Sequence, residues 1–156
     1  MSCRRVAGVC ALVVVAGPLW LAGPAFAQAK PAAAGRIKST SGTVSIVRGG
    51  AAVAAHAGDQ VFQSDSLRTG TDGRVGLTLA DDTRVSLGPS SEVRLDRFAF
   101  APAEGRMALA IAFVRGVAAY VSGRIAKLAP DAIRLETPAA IVGVRGTALA
   151  IRIDAQ

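Results

Sequence analysis

Along residues 74–98, RVGLTLADDTRVSLGPSSEVRLDRF, the large apolar side chains fall on every second position. Val75, Leu77 and Leu79 do so, then Val85 and Leu87, then Val93 and Leu95. A period of two belongs to strands with one buried face, because a helix needs apolar residues three and four apart. Asp81-Asp82 and Gly88-Pro89-Ser90-Ser91 separate the three groups, and these residue types favour turns. Short strands of this kind must bury their apolar faces against other strands. The stretch therefore restricts the chain to an all-β sandwich or roll.

The remaining text agrees with that class. GTVSIVR (42–48) alternates around Val44 and Ile46, and Gly49-Gly50 can turn it toward AAVAA (51–55). Residues 57–73 read as a long connection anchored by Val61, Phe62 and Leu67, with a tight turn at Asp72-Gly73. Residues 100–106 read as a loop. In 107–114 the Ala and Met content favours helix, whereas the alternation of Met107, Leu109, Ile111 and Phe113 with alanine favours strand. Gly116 separates this run from a further strand at 117–123. Residues 124–132 read as a loop or one helical turn. Ile133 and Leu135 point inward from 133–138, and the last strands follow Pro138. The expected architecture is a single all-β domain, a jelly-roll-like or twisted β-sandwich of short antiparallel strands.

The final run, VGVRGTALAIRI (142–153), changes parity. Val142 and Val144 precede Arg145-Gly146-Thr147, and Leu149, Ile151 and Ile153 follow it. One straight strand would put the two groups on opposite faces. A bulge or sharp bend at Gly146 returns both to one core. Arg145 then has two readings. It satisfies carbonyls freed where the ladder breaks, or it contacts an anion or a partner; the structural role is the expected one.

The N-terminus carries Arg4 and Arg5, a mostly apolar stretch from Val6, and Ala25-Phe26-Ala27. That pattern is a secretory signal peptide over 1–27, cleaved after Ala27. Residues 28–35 read as a small-residue linker and 36–154 as the domain. Cys3 and Cys10 are the chain's 2 cysteines, and both lie in the leader. The mature chain then has no disulfide, thiolate nucleophile or cysteine metal site. Without the leader, 16 basic residues face 11 acidic ones, a net +5. The arginines are scattered and form no phosphate track, so nucleic-acid binding is not expected. The mature aromatics, Phe62, Phe98, Phe100, Phe113 and Tyr120, supply few stacking platforms.

Chemistry-bearing groups are sparse. His56 is the sole histidine, lies among small residues, and reads as a surface side chain rather than part of a triad. Zinc lacks ligands. Asp59, Asp65, Asp72, Asp81 and Asp82 fit no EF-hand spacing, and aspartates favour turns for their own reasons. No glycine pattern cradles phosphate. No cofactor, metal or catalytic residue is expected.

With the strands placed, the chain resembles the FecR domain family over about residues 36–154. The matching positions are Gly42 and Val44, Gly58-Asp59, Thr69, Asp81-Asp82-Thr83, Gly116, Thr137-Pro138-Ala140 and Val144-Arg145-Gly146-Thr147. Asp82 stands where the family carries glycine, which implies a looser turn. The resemblance implies an all-β domain outside the inner membrane. In the best-known members that domain belongs to a regulator of an extracytoplasmic-function sigma factor, which receives a signal from an outer-membrane transporter. Only five residues precede Val6 here, so sigma-factor binding is not expected. The expectation is a non-catalytic periplasmic or secreted module that binds or senses an envelope protein, without stable membrane insertion after cleavage. The alternatives are binding of an envelope polymer, and membrane-tethered signalling if the leader is retained.

Overall fold

The computed structural model describes residues 32–143 and 148–153. Among them the strands are, in chain order, β1 (Gly35–Ser41), β2 (Val44–Arg48), β3 (Ala51–Ala54), β4 (Gln60–Val61), β5 (Ser66–Thr69) and β6 (Arg74–Leu79). There follow β7 (Arg84–Leu87), β8 (Glu92–Ala101), β9 (Arg106–Val121), a helical turn α1 (Ile125–Leu128), β10 (Ile133–Glu136), β11 (Ile141–Val142) and β12 (Ala148–Ile153). No helix among the described residues is long and apolar enough to cross a membrane.

The ladders form two sheets that share one strand. The first sheet runs β4-β1-β6-β7-β9-β12, using the C-terminal part of β9 from Gly116. The second runs β3-β2-β5-β8-β9-β10-β11, using the N-terminal part of β9 up to Arg115. Inward side chains from both meet in one core, including Ile37, Leu77 and Val85 from the first sheet and Leu67, Leu109 and Ile111 from the second. Alternation is the cause. In β6 and β7 every second residue is buried and its neighbours are not.

Several elements depart from the sequence reading. Strand β1 precedes the run read as strand from 42, and Gly42-Thr43 is the turn after it. Its alternation is hidden by an irregularity between Ile37 and Ser39, where Lys38 is the extra residue. Ala34 is buried and Gly35 opens β1, so the fold reaches back into the 28–35 linker. The long connection at 57–73 contains β4 and β5, too short to show a period. Residues 100–106 are the end of β8 and a 3-10 turn at Pro102–Glu104. Run 107–114 and residues 117–121 of the next run are one strand, because Gly116 bends β9 instead of ending it. One ladder is parallel, between β9 and β10. The helical turn α1 and a 3-10 turn at Pro130–Ala132 make that crossover.

The closing parity change has a structural partner. Val142 packs on the core from β11 in the second sheet, and Leu149, Ile151 and Ile153 pack on it from β12 in the first. The chain changes sheets between them. Arg145, Gly146 and Thr147 lie outside the described residues, as do the 1–27 leader and residues 28–31.

Candidate functional site

Four changes of sheet meet at one seam. Here β1 passes to β2, β5 to β6, β7 to β8, and β9 bends at Gly116. Strands that turn out of one ladder strand backbone groups, which must find new partners. Thr69 supplies them at the centre. Its Oγ1 donates to the Gly88 carbonyl at 2.7 Å and accepts from the Ser91 amide at 2.8 Å. Ser91, fully buried, accepts from the Val117 amide at 2.9 Å through its own hydroxyl. That hydroxyl also lies 3.0 Å from the Pro89 and Val117 carbonyls. Gly116 has φ +86° and packs against the Ser90-Ser91 backbone.

Asp72 and Gly73 extend the seam. The Gly70 amide donates to the Thr43 carbonyl at 2.8 Å, and the Gly73 amide to the Gly70 carbonyl at 3.0 Å. The Asp72 carboxylate accepts from the Thr43 amide at 3.2 Å, and that bond holds its pKa below the usual carboxylate value. The turn joins two sheets and is not a hairpin.

Asp81 and Asp82 sit in different environments, at the β6–β7 turn. Asp81 is fully buried. Its carboxylate accepts from the Thr83 hydroxyl at 2.7 Å and the Thr83 amide at 3.2 Å. The Thr83 Oγ1 in turn accepts from the Gly123 amide at 3.1 Å, and the Asp81 carbonyl accepts from the Arg124 amide at 2.7 Å. The pair thus anchors the chain as it leaves β9. Asp82 is exposed with φ +67°, a conformation that suits glycine. The turn is not loose, since Leu79 donates to the Thr83 carbonyl at 2.8 Å and Asp82 to the Leu79 carbonyl at 3.1 Å. Beside this knot the Tyr120 side chain is fully buried, and its hydroxyl makes no well-formed hydrogen bond. Burial pushes its pKa up to about 12, with the nearby Thr83 hydroxyl opposing and the Asp81 charge adding.

A third cluster was not legible from sequence. Arg48 reaches Asp65 through Nε at 2.8 Å and Nη2 at 2.7 Å. It also donates to the Gln60 carbonyl at 3.0 Å and lies 4.5 Å from the centre of the Phe62 ring. Asp65 is buried and also accepts from the Phe62 amide at 2.7 Å. The residues are 17 apart in sequence and bring the end of β2 onto the β4–β5 connection.

These clusters are structural ties. His56 is exposed, and its backbone amide donates to the Asp59 carboxylate at 2.8 Å. No group of three or more His, Cys, Asp or Glu side chains that could hold a metal lies among the described residues. The cavity between the sheets, lined by Val61, Leu77, Val85, Val93 and Ile111 among others, is about 10 Å³. That is space for one water at most, so it is not a ligand chamber.

The two faces differ in charge pairing. On the second sheet Arg68 and Arg115 flank Glu92 at 2.9 and 3.6 Å, and Arg94 binds Asp96. On the first sheet Arg36, Lys38, Arg74 and Arg84 are exposed and form no ion pair or side-chain hydrogen bond among the described residues. A polar recess of about 350 Å³ opens on the first sheet beside β4, with Arg36, Lys38, Gln60, Thr78 and Asp82 among its walls.

The geometry defines a filled all-β sandwich whose accessible surfaces are its outer faces. Residues 65–156 match FecR protein, and with more than half of the chain matched it belongs to the FecR family. That family is regulatory and non-enzymatic. No curated protein and no solved structure matches the chain.

Proposed function

We propose that this chain is a non-catalytic module that binds or senses a protein of the cell envelope, exported by a leader cleaved after Ala27, without sigma-factor binding. The filled sandwich carries this reading. A family built for regulation, with a cavity of only about 10 Å³ between the two sheets of the described residues, works through surface contact. An envelope glycan is the weaker occupant because the described aromatics are used internally. Phe113 and Tyr120 are buried, Phe98 and Phe100 pack against the core, and Phe62 lies under Arg48.

Photo-crosslinking in living cells tests the reading. Photoreactive residues at Ser86 on the first sheet and Ala110 on the second are expected to capture one protein. Retention on purified envelope polymers, lost as salt rises, would replace this reading with polymer binding. Mass spectrometry of the envelope fraction is expected to find a chain beginning at Gln28. Met1 retained in membranes would instead support tethered signalling.

A further inference from the structure

We propose that the outer face of the first sheet is the docking surface, and that it receives an acidic protein surface through Arg36, Lys38, Arg74 and Arg84. The proposal rests on the partner-binding reading above and adds the face and the partner's chemistry. Strands β1, β4, β6, β7 and β12, and β9 from Gly116, contain no Asp or Glu. Their four cations hold no ion pair among the described residues, and the carboxylate that shares the recess with Arg36 and Lys38 is Asp82 of the β6–β7 turn. On the second sheet most arginines already hold carboxylates. A surface that leaves its cations unpaired is complementary to a carboxylate-bearing partner.

The register gives this face a floor. One row across the sheet reads Arg36, Thr78, Arg84, Val121 and Ala148. The next reads Ser39, Gly76, Ser86, Ala119 and Ala150. The second row has no large side chain, so a partner's backbone can come close while its carboxylates reach the arginines of the first. Toward β12 the face mixes apolar and charged groups, with Val117 and Val121 each 41% exposed and Arg152 exposed opposite Val117. An apolar patch bordered by charge is the composition of a protein interface. A bilayer surface is a poorer fit, because interfacial binding relies on Trp, Phe or Leu, which this face lacks. A second copy would set the same cations against one another.

Two double variants remove equal charge from opposite faces. Arg36→Ser with Arg84→Ser alters the pair flanking Thr78 on the first sheet. Arg97→Ser with Arg134→Ser alters the pair flanking Ala110 on the second, where both are also exposed. The probe is poly-L-glutamate at low salt, compared with phosphatidylcholine vesicles containing phosphatidylglycerol. The first variant is expected to lose affinity for poly-L-glutamate by about fivefold and the second by less than about twofold. Backbone NMR shifts caused by the probe in the unmutated protein are expected on β1, β6 and β7. Equal losses in the two variants, or shifts centred on the second sheet, would overturn the choice of face. Stronger retention on the vesicles would overturn the choice of partner. Either result leaves the partner-binding reading standing, which fails separately if cellular crosslinking captures no protein.

Discussion

Gly116→Ala isolates what holds the two sheets together. At φ +86° an L side chain is strained by roughly 1–3 kcal/mol. A Cβ there would also stand 2.6 Å from Ser91 Cα and 2.7 Å from the Ser90 carbonyl oxygen, both backbone atoms that cannot rotate away. The corner at 88–91 must then move, and the Ser91 hydroxyl leaves the Val117 amide. A buried amide left without an acceptor costs about 1–3 kcal/mol more. Together these give a loss of about 2–6 kcal/mol. Gly105→Ala is the control, since Gly105 also has positive φ, +64°, but nothing lies within 4 Å of the added carbon. It should cost about 1 kcal/mol. Ser91→Ala removes the hydrogen bonds without the collision and should cost about 1–3 kcal/mol. Urea unfolding measures all three, and Gly116→Ala should lower the midpoint by about 2 M at unchanged slope. If Gly116→Ala is no more harmful than Gly105→Ala, the bend is not held by close packing at the seam and the argument fails.

Tyr120 should make the domain alkali-sensitive. Its pKa of about 12 in the fold exceeds the ordinary 10.0, so stability is complete below pH 10 and falls as pH rises toward 12. The loss should be on the order of 2 kcal/mol, and Tyr120→Phe should abolish it; since the chain has 1 tyrosine, absorbance at 295 nm reads the titration, and a folded-state value near 10 would contradict this. Arg48→Ala should cost about 2–3 kcal/mol by leaving the buried Asp65 carboxylate underpaired, and Arg48→Lys should recover only part because it loses the two-pronged contact; full recovery in urea unfolding would refute that. Asp82→Gly should stabilise by about 0.5–1 kcal/mol through relief of left-handed strain, raising Tm by about 3 °C, and a fall would show that the Asp82 carboxylate contributes to the turn.

The alternation in 74–98 identified β6, β7 and the start of β8 because each strand has one buried face and polar turns at its ends. It failed at β9 because a glycine inside a bent strand and a glycine between two strands look alike in one dimension. It failed at β1 because the extra residue Lys38 resets the period. The docking face was half legible. Parity alone turns Arg74 and Arg84 outward, opposite Val75 and Val85. That Arg36 stands one strand beyond Thr78 in the same row required the pairing of β1 with β6. Arg48 and Asp65 gave no local signal, since their contact spans two sheet changes.

Because β9 belongs to both sheets, neither sheet can open alone. Pulling the first sheet away exposes the amides of β9 from Gly116, and the same peptide carries the β8 and β10 ladders of the second. Hydrogen exchange along β9 should therefore proceed through global unfolding, with one opening free energy on both sides of the bend. The edge strand β3 can fray without cost to this shared strand. A partner seated on one outer face thus rests on a single cooperative unit, and its binding energy would be felt by the opposite sheet as added resistance to unfolding.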